Sequence, residues 1–97
     1  MNRIIKEDME YIYQFNPEMW EAFRNKTVLI TGAYGMLPSY MVYMLIFLNE
    51  KDPKFNIQIV ALVRNIEKLR KRFGKYVQKS YFHSYIADVC KPIHCEI

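Results

Sequence analysis

Two glycines set the first chemical possibility. Gly32 and Gly35 punctuate the stretch Lys26-Thr27-Val28-Leu29-Ile30-Thr31-Gly32-Ala33-Tyr34-Gly35-Met36-Leu37-Pro38-Ser39-Tyr40. The β-friendly residues Thr27 to Ile30 precede the turn, and an apolar segment at helical spacing follows it. Strand, glycine-punctuated turn and helix, in that order, are what a nucleotide's phosphates require. The glycines let the chain bend sharply and bring its backbone close to an anion. Free N–H groups at the positive end of the helix then face the charge.

Other residues could do chemistry, and their spacing argues against it. His83, Cys90, His94 and Cys95 carry metal donor atoms. His94 and Cys95 are adjacent, however, and the paired Cys-x-x-Cys or His-x3-His spacing of structural zinc sites is missing, so no metal is expected. The Cys-x4-Cys spacing also lacks redox Cys-x-x-Cys geometry. Net charge is +4 and the pI about 9.1. Part of the excess sits in Arg64, Lys68, Arg70, Lys71, Arg72, Lys75 and Lys79. With Phe73, Tyr76 and Tyr81 interleaved, the run from Arg70 to Lys79 makes a passable nucleic-acid patch. No recognition motif accompanies it, and a solvated helix face with its following loop is the preferred reading.

The elements that must position these residues follow from periodicity. Ninety-seven residues, 52% hydrophobic and 25% charged, make one small globular domain at most. Ile5, Met9 and Ile12 predict a helix over Ile4 to Tyr13, ended by Pro17. Trp20 and Phe23 lead into the first strand. Tyr40 to Leu48 predicts a deeply buried helix, closed by a polar turn from Asn49 to Lys54. Ile57 to Val63 predicts a parallel strand covered on both faces. Asn65 is a candidate N-cap for a helix carrying Ile66, Leu69 and Phe73, with Gly74 as its stop. Tyr81 to Ala87 predicts a third strand, and Asp88 to Ile97 a loop.

The sum is a lead-in helix and then β-α-β-α-β, half of a doubly wound α/β fold with helices and sheet in three layers. The first strand would keep a bare apolar edge, which invites self-association. The chain reads as a fragment or truncated form, or as a short protein that covers this edge with its first helix. No secretory signal is visible. The most apolar run, Met41 to Leu48, is eight residues long, against roughly 20 for a membrane span. A cytoplasmic protein with free Cys90 and Cys95 thiols and no membrane partner is expected.

At Thr31-Gly32-Ala33-Tyr34-Gly35-Met36-Leu37-Pro38 the sequence resembles the T-G-x-x-G-x-x-G turn of extended short-chain dehydrogenases/reductases. In particular it looks like the NAD-dependent epimerase/dehydratase family, which acts on nucleotide sugars. Leu62-Val63-Arg64-Asn65 and Asp88-Val89 match the ends of that family's second and third strands. The resemblance implies a lead-in helix and linker over 1–25 and a partial NAD(P)-binding Rossmann domain over 26–97. It implies that Gly32 makes the tight turn, that Tyr34, Gly35, Met36 and Leu37 line the pyrophosphate through backbone groups, and that Asp88 and Val89 lie along the adenine.

Two positions depart from the family pattern. Pro38 stands where the third glycine belongs; proline is tolerated in a helix's first turn but offers no N–H to a phosphate. Arg64 and Asn65 stand where NAD-preferring sites place an acidic residue for the ribose. An arginine there can pair with the 2′-phosphate, which inclines the cofactor towards NADP over NAD, although Arg64 also reads as a solvated loop residue or one stacked on the adenine. None of the eight tyrosines has a lysine four residues on. The Tyr-x-x-x-Lys pair that the family uses as general acid and base is therefore absent, and the chain alone should be inactive. The expected function is the dinucleotide-binding portion of a nucleotide-sugar epimerase, dehydratase or decarboxylase. The alternative is a non-catalytic, degenerate Rossmann module that acts by binding or self-association.

Overall fold

The computed structural model describes residues 2–32 and 36–86. Tyr34, Gly35, Asp88, Val89, Cys90, His94 and Cys95 lie outside the described residues. Among the described residues four α-helices and three strands follow one another: α1 Arg3–Phe15, α2 Pro17–Trp20, β1 Thr27–Thr31, α3 Met36–Lys51, β2 Gln58–Val63, α4 Ile66–Phe73 and β3 Phe82–Ile86. The strands form one parallel sheet in the order β1-β2-β3.

Local signals start and stop these elements. The Asn2 side chain accepts from the Ile5 N–H at 2.9 Å and caps α1. Asn16 interrupts the helical path, and Pro17 starts α2 where its missing N–H costs nothing. Asn65 accepts from the N–H groups of Glu67 and Lys68 at 2.9 and 3.3 Å and caps α4, which Gly74 ends at φ 56°. α3 is longer at both ends than the apolar run predicts. Pro38 fits within its first turn, and Asn49, Glu50 and Lys51 are helical, not part of the polar turn expected there.

Packing explains the extension at the carboxyl end as far as Asn49. Every residue from Val42 to Asn49 is buried, because α3 has neighbours on several sides. On one side Tyr13 of α1 meets Phe47, with ring centroids 6.3 Å apart. On another, Tyr43 meets Phe73 of α4 edge-on at 5.0 Å, and Phe73 passes the contact to Phe82 of β3 at 5.9 Å. Asn49 is buried without strain, since its amide donates to the Ile57 carbonyl and accepts from the Ile57 N–H, both at 2.9 Å. At this crossover end, Arg24 lies over the Phe55 ring at 4.0 Å, donates to Asp52 at 3.1 Å and pairs with Glu21.

The strand order advances in one direction, so two crossovers of the same hand place α3 and α4 on one face of the sheet. Their mutual contact agrees. Ile30, Ile59, Ala61, Val63 and Phe82 join both helices, Met9 and Trp20 in one core cluster. Among the described residues the helices all share this face, in contrast to the three layers expected of a doubly wound sheet. β2 is central and buried on both faces, as its continuous apolar sequence predicts. β1 is an edge strand here: it pairs only with β2 among the described residues, and Leu29 is 58% exposed.

Candidate functional site

Parallel register brings the carboxyl ends of all three strands to one edge. Thr31 lies opposite Leu62, Leu62 opposite Tyr85, and Val63 opposite Ile86. Ligands of open α/β sheets bind outside this edge, where the loops diverge and helix N-termini point outward. Gly32, Met36, Leu37, Arg64 and Asn65 all emerge here. Asp88 and Val89 follow β3 in sequence, beyond the described residues.

Gly32 closes the first strand. Its N–H donates to the Leu62 carbonyl at 3.1 Å, and its φ of 62° turns the chain out of the sheet. That N–H is therefore engaged in the ladder, leaving any anion to be held by groups further along the turn. A Cβ placed at Gly32 would meet nothing within 4 Å among the described residues. The glycine is demanded by its backbone angle.

The start of α3 supplies donors. Helix geometry leaves the N–H groups of the first turn without intrahelical partners, and no acidic residue stands in that turn to compensate the positive end. Met36 and Leu37 contribute two such groups; Pro38 contributes none. The Met36 and Leu37 side chains are 80% and 78% exposed, so their place at the helix start owes nothing to core packing.

Arg64 and Asn65 are exposed at the end of β2. The Asn65 side-chain oxygen Oδ1 is occupied in capping α4, a structural use that its sequence position also signals. The first carboxylate after β2, Glu67, is turned to Arg70 at 2.9 Å.

Other residues weighed for chemistry lie elsewhere. His83 holds Nε2 2.7 Å from Gln58 Oε1 on the neighbouring strand. No group of three or more His, Cys, Asp or Glu side chains converges among the described residues. Tyr76, the nearest approach to a Tyr-x-x-x-Lys pair, is buried just before β3, towards the opposite end of the sheet. Burial, with Glu50 nearby, pushes its phenol above the ordinary value, the reverse of what a catalytic tyrosine needs. It lines a cavity of about 280 Å³ with Lys6, Glu10 and Lys51. A second cavity of about 320 Å³ lies beside Tyr81, whose hydroxyl has no partner among the described residues and whose phenol burial pushes up to about 12. A third, between α1 and α4, was not legible in the sequence because it needs the two helices brought together; the spacing of Lys68, Lys71 and Arg72 was its only trace. No helix among the described residues is long and apolar enough to cross a membrane.

No family model matches the chain, and no curated protein or solved structure matches it either.

Proposed function

We propose that this chain is the dinucleotide-binding portion of an NAD(P)-dependent nucleotide-sugar epimerase, dehydratase or decarboxylase. One observation carries the proposal: β1, Gly32 with its positive φ, and the donor-rich start of α3 follow one another in sequence at the carboxyl edge of a parallel sheet. The likeness of Thr31 to Pro38 to the T-G-x-x-G-x-x-G turn adds the substrate class.

In this function Gly32 turns the chain, and the backbone from Tyr34 to Leu37 meets the pyrophosphate. Arg64 pairs with a 2′-phosphate, while Asp88 accepts from the adenine amine beside Val89. The bound nicotinamide supplies hydride transfer at a sugar carbon. A tyrosine–lysine pair outside this chain handles the hydroxyl proton. The sheet continues past β1 in the whole enzyme as a doubly wound domain, and two cysteines without a disulfide framework suit a cytoplasmic setting.

Gly35→Val tests the phosphate turn, because a branched side chain obstructs the backbone's approach to the anion. Calorimetric titration with NADP⁺ and NAD⁺ should show binding by the wild-type chain and none by the variant. Equal affinity for both chains would exclude the turn as the binding element.

A second function, self-association without catalysis, is favoured by the edge position of β1 and the exposure of Leu29, Met36 and Leu37. Open strand edges and apolar patches of this kind attract another chain.

A further inference from the structure

β1 reads Thr27-Val28-Leu29-Ile30-Thr31, nearly the same in either direction, with valine and isoleucine as its only mismatch. None of these residues is charged and none is proline, although charge and proline are what commonly discourage pairing at a sheet edge. β3, which reads Phe82-His83-Ser84-Tyr85-Ile86, has no such symmetry. The backbone of β1 has a matching order. The Lys26 carbonyl accepts from the Gln58 N–H at 2.9 Å, and the Gly32 N–H donates to the Leu62 carbonyl at 3.1 Å. Even-numbered residues therefore bond to β2. Alternation along the strand turns the N–H and C=O groups of Thr27, Leu29 and Thr31 to the opposite edge. There β1 has no strand partner among the described residues.

An antiparallel copy centred on Leu29 satisfies this order completely. Thr27 meets Thr31 and Leu29 meets its own equivalent, and each such pair exchanges both backbone bonds. Between them Val28 meets Ile30, a β-branched pair of the kind that stabilises sheets. One step further out, Lys26 falls opposite Gly32, so like charges are kept apart. The side chains agree with this register. Val28 and Ile30 pack with the core, while Leu29 is exposed on the other face of the strand. Opposed residues share a face, so the helices of both copies stay on one side and the two Leu29 side chains meet on the other. The same surface serves both copies, and the contact closes at a dimer.

We propose that the chain forms a twofold-symmetric dimer by antiparallel pairing of β1 with β1 of a second copy, which doubles the parallel sheet across Leu29. The dimer rests on self-association as the second function and gives it a partner, a direction and a register.

Sedimentation velocity and cysteine cross-linking of the full chain test it together. Cys90→Ser/Cys95→Ser is the background, and Thr27→Cys, Leu29→Cys and Thr31→Cys are added to it one at a time. Circular dichroism checks that each variant folds. The background should show monomer and dimer in concentration-dependent exchange and no larger species. In the paired strands the two Leu29 Cα atoms lie about 5.5 Å apart, within reach of a disulfide. The two Thr27 positions lie roughly 13 Å apart, four residues along the strand, as do the two Thr31 positions. On mild oxidation with diamide, Leu29→Cys should therefore give about tenfold or more covalent dimer than either threonine variant alone. An equimolar mixture of Thr27→Cys and Thr31→Cys should form the mixed disulfide. Equal cross-linking of all three single variants would overturn the antiparallel register, and species larger than a dimer would overturn its closure. A dimer in sedimentation that Leu29→Cys does not cross-link would overturn the pairing and leave self-association standing. A background that stays monomeric at high concentration would overturn both.

Discussion

Asn49 and Ile57 hold each other by two hydrogen bonds of 2.9 Å, the side-chain amide of the one spanning the backbone N–H and C=O of the other. The pair ties the last turn of α3 to the entry of β2. It thereby fixes where the central strand begins, and hence the register that brings Gly32 and Arg64 to a common edge.

Asn49→Ala would leave both Ile57 backbone groups buried without partners, at a cost of about 2 to 5 kcal/mol. Denaturant unfolding should show this as a lower midpoint. Asn49→Asp keeps the acceptor but sets a carboxylate against the Ile57 carbonyl, so its folded-state pKa should rise above the unfolded value. Its stability deficit should therefore be smallest at acid pH and grow as pH rises through that folded-state pKa. A variant as stable as wild type at neutral pH would contradict the clamp.

Asp52 titrates in the opposite sense. The Lys54 backbone N–H, followed by the Arg24 guanidinium, holds its carboxyl below the ordinary value of 3.8. A depressed folded-state pKa contributes stability above the unfolded value, and that contribution disappears as pH falls through the folded one. Wild type should therefore exceed Asp52→Asn in stability near neutral pH, with the difference closing below about pH 4. Parallel stability curves across that range would show that the contact with Arg24 is not maintained in solution.

Leu29 tests the open edge. If β1 recruits a second chain, sedimentation velocity of the wild type should show concentration-dependent association. Leu29→Lys should abolish it, because a charge on an edge strand blocks pairing. A wild type that stays monomeric at high concentration would remove self-association as a function.

The sequence discloses most of what is local. Asn65 and Gly74 bound α4 by cap chemistry that depends only on neighbouring residues, and the continuous apolar run of β2 announces a central parallel strand. Pro38 is compatible with the first turn of α3 for the same local reason. What escapes is tertiary. Asn49 looks like a turn residue until Ile57 returns beside it, and nothing in the spacing of α1 says that it crosses α3 near α4. The glycine turn is legible as a pattern, yet the engagement of the Gly32 N–H by Leu62 depends on β2 arriving in register. Arg64 is visible from its position after β2, but its position in the sequence does not say what its guanidinium meets.

Calorimetric titration of the wild-type chain with NADP⁺ and, separately, NAD⁺ tests dinucleotide binding most directly. One saturable site is predicted, with NADP⁺ preferred by about tenfold, or 1.4 kcal/mol, through Arg64. That preference should vanish in Arg64→Ala. A folded chain that binds neither dinucleotide would contradict the assignment and leave association through β1 as the function to pursue.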